Sequence, residues 1–216
     1  MREMEASVYL CDKELLRLME DDSTFIQPFS RKRLQSASYD VSLSNEVFIL
    51  KPSAVAIDIS AQDAIDNIYE AKDISAGYVI KPGEFILCTI QESVALPDDI
   101  VAFVEPRTRL TRLGLLLSRQ FCNPSYKGTL RLGLKNMSGS NISLVPGLAI
   151  GQLVFSRLKE RPLEENLYRN KPNAAYQQES SFRGSTFEDE ELSPEALEIL
   201  NGMFRHLGGS QYVRNA

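Results

Sequence analysis

Pro82–Phe155 reads PGEFILCTIQESVALPDDIVAFVEPRTRLTRLGLLLSRQFCNPSYKGTLRLGLKNMSGSNISLVPGLAIGQLVF. Short apolar runs alternate in it with turn signals: Lys81-Pro82-Gly83, Pro97-Asp98-Asp99, Asn123-Pro124-Ser125, Ser138-Gly139-Ser140 and Pro146-Gly147. Runs of that length, bounded by Gly, Pro, Asn and Asp, predict about six short strands joined by tight turns, not βαβ units. An all-β core follows.

Within this stretch Arg107, Arg109 and Arg112 fall around Thr108 and Thr111, ahead of Gly114. Guanidinium groups offer paired donors to phosphate oxygens, and hydroxyls and backbone N–H groups add to them, so an anionic ligand is the first functional expectation. The competing reading is a solvated basic turn, because basic clusters are weakly specific.

The rest of the chain sets bounds. With 216 residues it is long enough to bury a core in one domain, and its formal charge of −5 argues against broad electrostatic binding of nucleic acid. Three widely spaced cysteines (Cys11, Cys88, Cys122) and one histidine, His206, make neither a disulfide framework nor a zinc site. Each cysteine is read as a small buried hydrophobe. The N-terminus lacks a signal-peptide core and no window has the roughly 20 apolar residues that cross a bilayer, so a reducing, cytoplasmic setting without membrane contact is expected.

Asp12 is placed to cap a short helix over Lys13–Glu20, with Leu15, Leu16, Leu18 and Met19 as its apolar face. Arg31-Lys32-Arg33 reads as a solvated turn, with a phosphate-facing role as the alternative. Tyr39, Val41 and Leu43 alternate with Asp40, Ser42 and Ser44 along a strand, which leaves Asp40 to face solvent or tether a loop. From Pro52 to Gly77 the pattern loosens into a connector. Its aspartates, Asp58, Asp63, Asp66 and Asp73, follow no calcium-loop spacing. Residues 159–183 read as a polar loop. Ser193-Pro194-Glu195 then opens a helix with Leu197, Leu200, Phe204 and Leu207 on one stripe, Gly208-Gly209 as its stop and His206 as a capping or surface residue.

Taken in order, Leu10-Cys11-Asp12-Lys13-Glu14, Ala37-Ser38-Tyr39-Asp40-Val41-Ser42-Leu43, Pro82-Gly83-Glu84, Glu92-Ser93-Val94-Ala95-Leu96-Pro97, Arg107 to Gly114, Tyr126-Lys127-Gly128, Asn136 and Pro146-Gly147 to Phe155 resemble the dCTP deaminase and dUTPase superfamily, and more closely its deaminase branch. The resemblance implies a mainly β fold, a distorted β barrel or jelly-roll-like body of the β-clip, dUTPase-like kind with a few short helices, assembled as a homotrimer with sites between subunits. It divides the chain into a family domain, 1–183, whose residues 168–183 form an arm that closes over the nucleotide, and an extension, 184–216, with one amphipathic helix. It also implies a pyrimidine deoxynucleotide as ligand, magnesium carried by the triphosphate, and the reaction of dCTP with water to dUTP and ammonia, which supplies dUTP for thymidylate synthesis.

By the same resemblance Arg107, Thr108, Arg109, Thr111, Arg112, Asn123, Arg131, Gln152, Tyr168, Tyr176 and Gln178 are the substrate-binding positions, and Asp40 supports the site. The chain departs from the family where catalysis is expected. The deaminase glutamate that activates water lies three residues before Asn136, and here it is Gly133. The dUTPase aspartate lies three before the aromatic of the Tyr-x-Gly motif, and here it is Asn123, whose amide is not a base. Arg109 stands where a serine is usual, and Ala175 where a lysine precedes the second arm tyrosine. Glu105, beside Pro106-Arg107, is the nearest replacement base. Three readings follow: an enzyme of the family (dCTP deaminase or dUTP diphosphatase type) working through Glu105, a catalytically silent nucleotide-binding sensor, or a structural trimer.

Overall fold

The computed structural model describes residues 8–53, 56–60, 62, 65, 67–172, 174–179, 181–187 and 192–206, with side chains to Met203 in the last segment. Asp63, Asp66, the acidic run after Phe187, the side chains of Phe204 and His206, Leu207 and Gly208-Gly209 lie outside the described residues.

The fold is mainly β with a few short helices. In chain order come β1 (Val8–Tyr9), α1 (Asp12–Asp21), β2 (Ile26–Gln27), a 3-10 turn (Arg31–Arg33), β3 (Tyr39–Leu50), β4 (Tyr69–Asp73), β5 (Tyr78–Ile80), β6 (Phe85–Ala95) and β7 (Ile100–Pro106). Then follow α2 (Thr108–Arg112), β8 (Leu115–Leu117), β9 (Gln120–Cys122), β10 (Lys127–Asn136), β11 (Ile142–Leu144), β12 (Ala149–Arg157), two 3-10 turns (Glu164–Asn166, Tyr168–Asn170) and α3 (Pro194–His206). The long sheet runs β8-β10-β6-β3-β12-β7-β9, with β1 on β12 and β2 on β6, and β11 pairs with β5 apart from it. Pairing is antiparallel, as tight turns require.

Its turns rest on residues that tolerate positive φ. Gly83 and Gly147 sit at φ 78° and 82° behind their prolines, and Ser125 takes φ 64° in Asn123-Pro124-Ser125-Tyr126, where the Tyr126 amide donates to the Asn123 carbonyl at 3.1 Å. Two local expectations change. Arg107–Arg112 is not a strand and turn: Arg107 caps a one-turn helix, with its carbonyl accepting from Leu110 and Thr111. Helix α1 starts one residue early, at Asp12 with Cys11 as its N-cap, because Glu14 accepts from the Cys11 amide at 3.0 Å and closes a capping box. That bond holds the Glu14 carboxyl below its ordinary range.

Contacts gather the chain into two compact units, 1–49 with 71–180, and 50–70 with 181–216. The first has a continuous core in which Phe25, Tyr39, Ile86, Leu132 and Phe155 are buried, with Phe25 against Phe155 at a ring separation of 5.1 Å. Burying each such side chain contributes about 1.5–3 kcal/mol. In the second, Tyr69 meets Phe182 edge-on at 5.2 Å, Gln62 donates to the Ser185 carbonyl, and Ser193 caps α3 through the Ala196 amide.

Strand β3 does not alternate between core and solvent. Its first five residues are all buried, so Asp40 and Ser42 are enclosed along with Tyr39 and Val41. A carboxylate survives there only with a partner, and the partner locates the site.

Candidate functional site

Asp40 is ion-paired with Arg107, which enters from the end of β7. The two residues belong to the wall of a cleft of about 520 Å³, to which Ser30, Lys32, Arg33 and Arg109 also contribute; four cations face one carboxylate across it. Burial first, then repulsion by Arg109 and Arg33, pulls the Arg107 pKa below its ordinary value. Asp40 Oδ2 also accepts from Gln35 Nε2 at 3.2 Å, while its Oδ1 is buried with no hydrogen-bond partner among the described residues. Concentrated positive charge on a concave wall, with one buried acceptor still unmet, suits an anion that brings its own donors or water.

Register places two further predicted residues beside this wall. Gln152 stands opposite Asp40 on one side and Glu105 on the other, so the three share a sheet face. Gln152 Oε1 accepts from Ser38 at 3.1 Å. Glu105 is engaged by Arg119, whose Nε and Nη2 both donate to one carboxylate oxygen. Thr108, Thr111 and Arg112 lie exposed on α2 and are not among the residues lining the cleft; Thr111 bonds back to the Arg107 carbonyl at 3.4 Å.

The remaining predicted residues form a separate cluster around the Asn123–Gly128 turn. Tyr168 sets its ring 5.8 Å from that of Tyr126 and its amide on the Pro124 carbonyl, and the Tyr176 amide donates to the Tyr168 hydroxyl. Gln177 bridges the Ser125 carbonyl and the Lys127 amide, both at 3.0 Å, and the Gln178 amide donates to the Lys127 carbonyl. Arg131 is ion-paired with Glu179 and lies over the Phe48 ring. The segment 168–179 is thereby laid on its own chain's turn. Arg131 is tied to it through Glu179.

Gly133 is buried in β10, and its amide donates to Ser118 Oγ at 2.8 Å. A Cβ added there would stand 2.8 Å from Cε2 and 2.9 Å from Cζ of Phe85. The space beside Gly133 is thus filled by an aromatic ring from the neighbouring strand.

Lys32, Arg33 and Asp40 are the cleft residues that local sequence patterns undervalue. The signals were the basic triplet Arg31-Lys32-Arg33, whose pattern favours a solvated turn over a phosphate-facing one, and the family resemblance that marked Asp40 as supporting the site. Among the described residues no group of three or more His, Cys, Asp or Glu side chains is placed to hold a metal ion. The described helices include none long and apolar enough to cross a membrane.

The model of the dCTP deaminase-like family matches residues 9–158. The dCTP deaminase of Haloarcula marismortui is 32% identical over 157 residues, covering 69% of this chain and 80% of that protein. A dUMP-forming dCTP deaminase of Tropheryma whipplei is 37% identical over 153 residues, covering 69% and 78%. Among solved structures, the 2'-deoxycytidine 5'-triphosphate deaminase of Agrobacterium tumefaciens superposes with a TM-score of 0.58 at 21% identity, over 70% of this chain and 48% of that one. The chain spans about half the length of that structure.

Proposed function

Since this chain belongs to the dCTP deaminase-like family, we propose that it binds a pyrimidine deoxynucleoside triphosphate by its phosphate chain and does not deaminate it. The observation that carries the binding half is the cleft in which Lys32, Arg33, Arg107 and Arg109 face a single carboxylate. Charge-assisted bonds to phosphate contribute about 1.5–3 kcal/mol each, so a few suffice for micromolar affinity. Magnesium arrives on the triphosphate oxygens, because the cleft's one carboxylate, Asp40, is committed to Arg107.

The silent half rests on Gly133. A positioned general base is worth on the order of 10²- to 10⁴-fold, and Phe85 occupies the space from which a base at this position would grow. The Asn123 side chain is an amide, which is not a base for water. Glu105 is the remaining candidate, but Arg119 donates twice to one of its carboxylate oxygens, so that oxygen is already engaged. In this reading the domain is 1–183, residues 168–183 act as a closing arm, 184–216 are an extension, and the protein is a cytoplasmic homotrimer acting as a nucleotide sensor.

The test incubates pure protein with magnesium and dCTP or dUTP, following products by chromatography and binding by calorimetry. Binding without dUTP, dUMP or ammonia is expected. Failure to bind either nucleotide overturns the reading. Turnover overturns its silent half and moves attention to Glu105, whose exchange for Gln would then abolish product.

A further inference from the structure

Two of the cleft's cations come from outside the arginine segment, on the 3-10 turn Arg31–Arg33. We infer that this turn is the second jaw of a polyphosphate clamp: Lys32 and Arg33 hold one end of a chain of phosphates whose other end is taken by Arg107 and Arg109, with or without a nucleoside attached. The inference rests on the cleft proposed above as the phosphate site and extends it to the ligand's chemical class.

Arg33 is fixed in position by two groups. Its Nη2 donates to the Gly147 carbonyl at 3.0 Å, and its Nε lies 3.8 Å from Glu92. Glu92 is 1% exposed, and its oxygens take the Ser42 amide at 2.9 Å and the Ser42 hydroxyl at 2.5 Å. A carboxylate that deep is sustained only by such bonds and by a nearby cation. Glu92 is therefore a positioning residue: it acts on the cleft through Arg33. The turn itself is held by the Ser30 amide on the buried Tyr39 hydroxyl at 2.9 Å, with Phe29 stacked on the same ring.

Charge balance identifies the occupant. Arg119, Arg157 and Arg169 each meet a carboxylate. Lys32 and Arg109 meet none among the described residues, although both line the same concave wall as Arg33 and Arg107. Such crowding is unfavourable for the empty protein and is relieved by a multiply charged anion. A base is not catered for: the lining has no aromatic ring, and its one apolar residue is Ala149. Inorganic tripolyphosphate alone should fill it, and the overall charge of −5 disfavours a nucleic acid backbone.

Calorimetry of the intact protein with dCMP, dCDP, dCTP and inorganic tripolyphosphate, repeated for Lys32→Ala, Glu92→Gln and Arg107→Ala, tests this. Affinity is expected to climb with each phosphate, and tripolyphosphate is expected to compete with dCTP. Lys32→Ala should weaken dCTP and tripolyphosphate about tenfold while leaving dCMP within about twofold, the loss of one charge-assisted contact. Glu92→Gln should flatten the same ladder. Because its buried site risks misfolding, the exposed Lys32 decides if Glu92→Gln fails to fold. If Lys32→Ala keeps the full ladder while Arg107→Ala abolishes dCTP binding, the clamp is wrong and the phosphate cleft stands. Binding of neither dCTP nor tripolyphosphate removes both. Tighter binding of single-stranded oligodeoxythymidylate than of tripolyphosphate also overturns the clamp.

Discussion

Replacing Gly133 by Ala tests the packing argument with a change of sign. At an ordinary extended position in a strand, Gly→Ala stabilises by about 0.5–1 kcal/mol, because the unfolded chain loses freedom. The added Cβ, however, would lie 2.8 and 2.9 Å from two Phe85 ring atoms, about half an ångström inside ordinary van der Waals contact. The ring must swing away and surrender its own contacts, an overpacking cost of about 1–3 kcal/mol. The net expectation for Gly133→Ala is a loss of about 0.5–2 kcal/mol, or a fall in Tm of roughly 2–6 °C at this chain length.

In a Phe85→Ala background the same methyl finds room, so Gly133→Ala should raise Tm by about 1–3 °C there. Thermal unfolding of the four proteins, followed by circular dichroism under one set of conditions, closes the double-mutant cycle. A rise in Tm in both backgrounds would show that the ring does not bar position 133. The reason given for the missing base would then fall, since a glutamate needs the same Cβ and more.

Burial separates the three thiols. Cys88 and Cys122 are enclosed and their pKa values are pushed up to about 12, while Cys11 is half-buried. A thiol reagent at pH 8 should label Cys11 alone in the folded protein, read by peptide mass; modification of Cys88 before unfolding would contradict its place in β6. Asp98 is held below its ordinary 3.8 by hydrogen bonds from Arg169 first, with Arg161 adding its charge. A depressed carboxyl pKa stabilises above the unfolded value and loses that contribution as pH falls through the folded one. Wild type should therefore exceed Asp98→Asn by at most about 1 kcal/mol at pH 7, since the pair is largely exposed. That gap should close below pH 3.8; a gap that widens on acidification would refute the pairing.

The strands and turns were legible because they are local. Pro82-Gly83, Pro146-Gly147 and Pro124-Ser125 place residues that accept positive φ behind a proline, and each makes its turn. The cleft was half legible. Arg107 and Arg109 were visible as a cluster, but whether an arginine faces solvent, a carboxylate or a ligand depends on partners far along the chain. Arg107 finds Asp40, Arg33 finds Glu92, Arg131 finds Glu179 and Glu105 finds Arg119. No local period encodes those pairs. Alternation of Tyr39, Asp40 and Val41 predicted two unlike faces, whereas both are buried, because the polar face is covered by the charges it pairs with.

On the proposed reading, the absence of a base at position 133 has to be judged by what stands in its place. A glycine at a catalytic position is compatible with two situations: a vacancy into which water or another carboxylate can move, or a space already filled. Sequence cannot separate them, because Phe85 is brought to Gly133 only through the antiparallel register of β6 and β10, in which Leu87 is the direct partner of Gly133 and Phe85 that of Lys135. The ring lies one diagonal step away and reaches across to the glycine, as long aromatic side chains do between diagonal neighbours. Phe85 takes up the space beside Gly133, while the cations of the cleft stand on other elements. On the proposed reading, phosphate binding and water activation rest on different elements, so the first can be kept where the second is not.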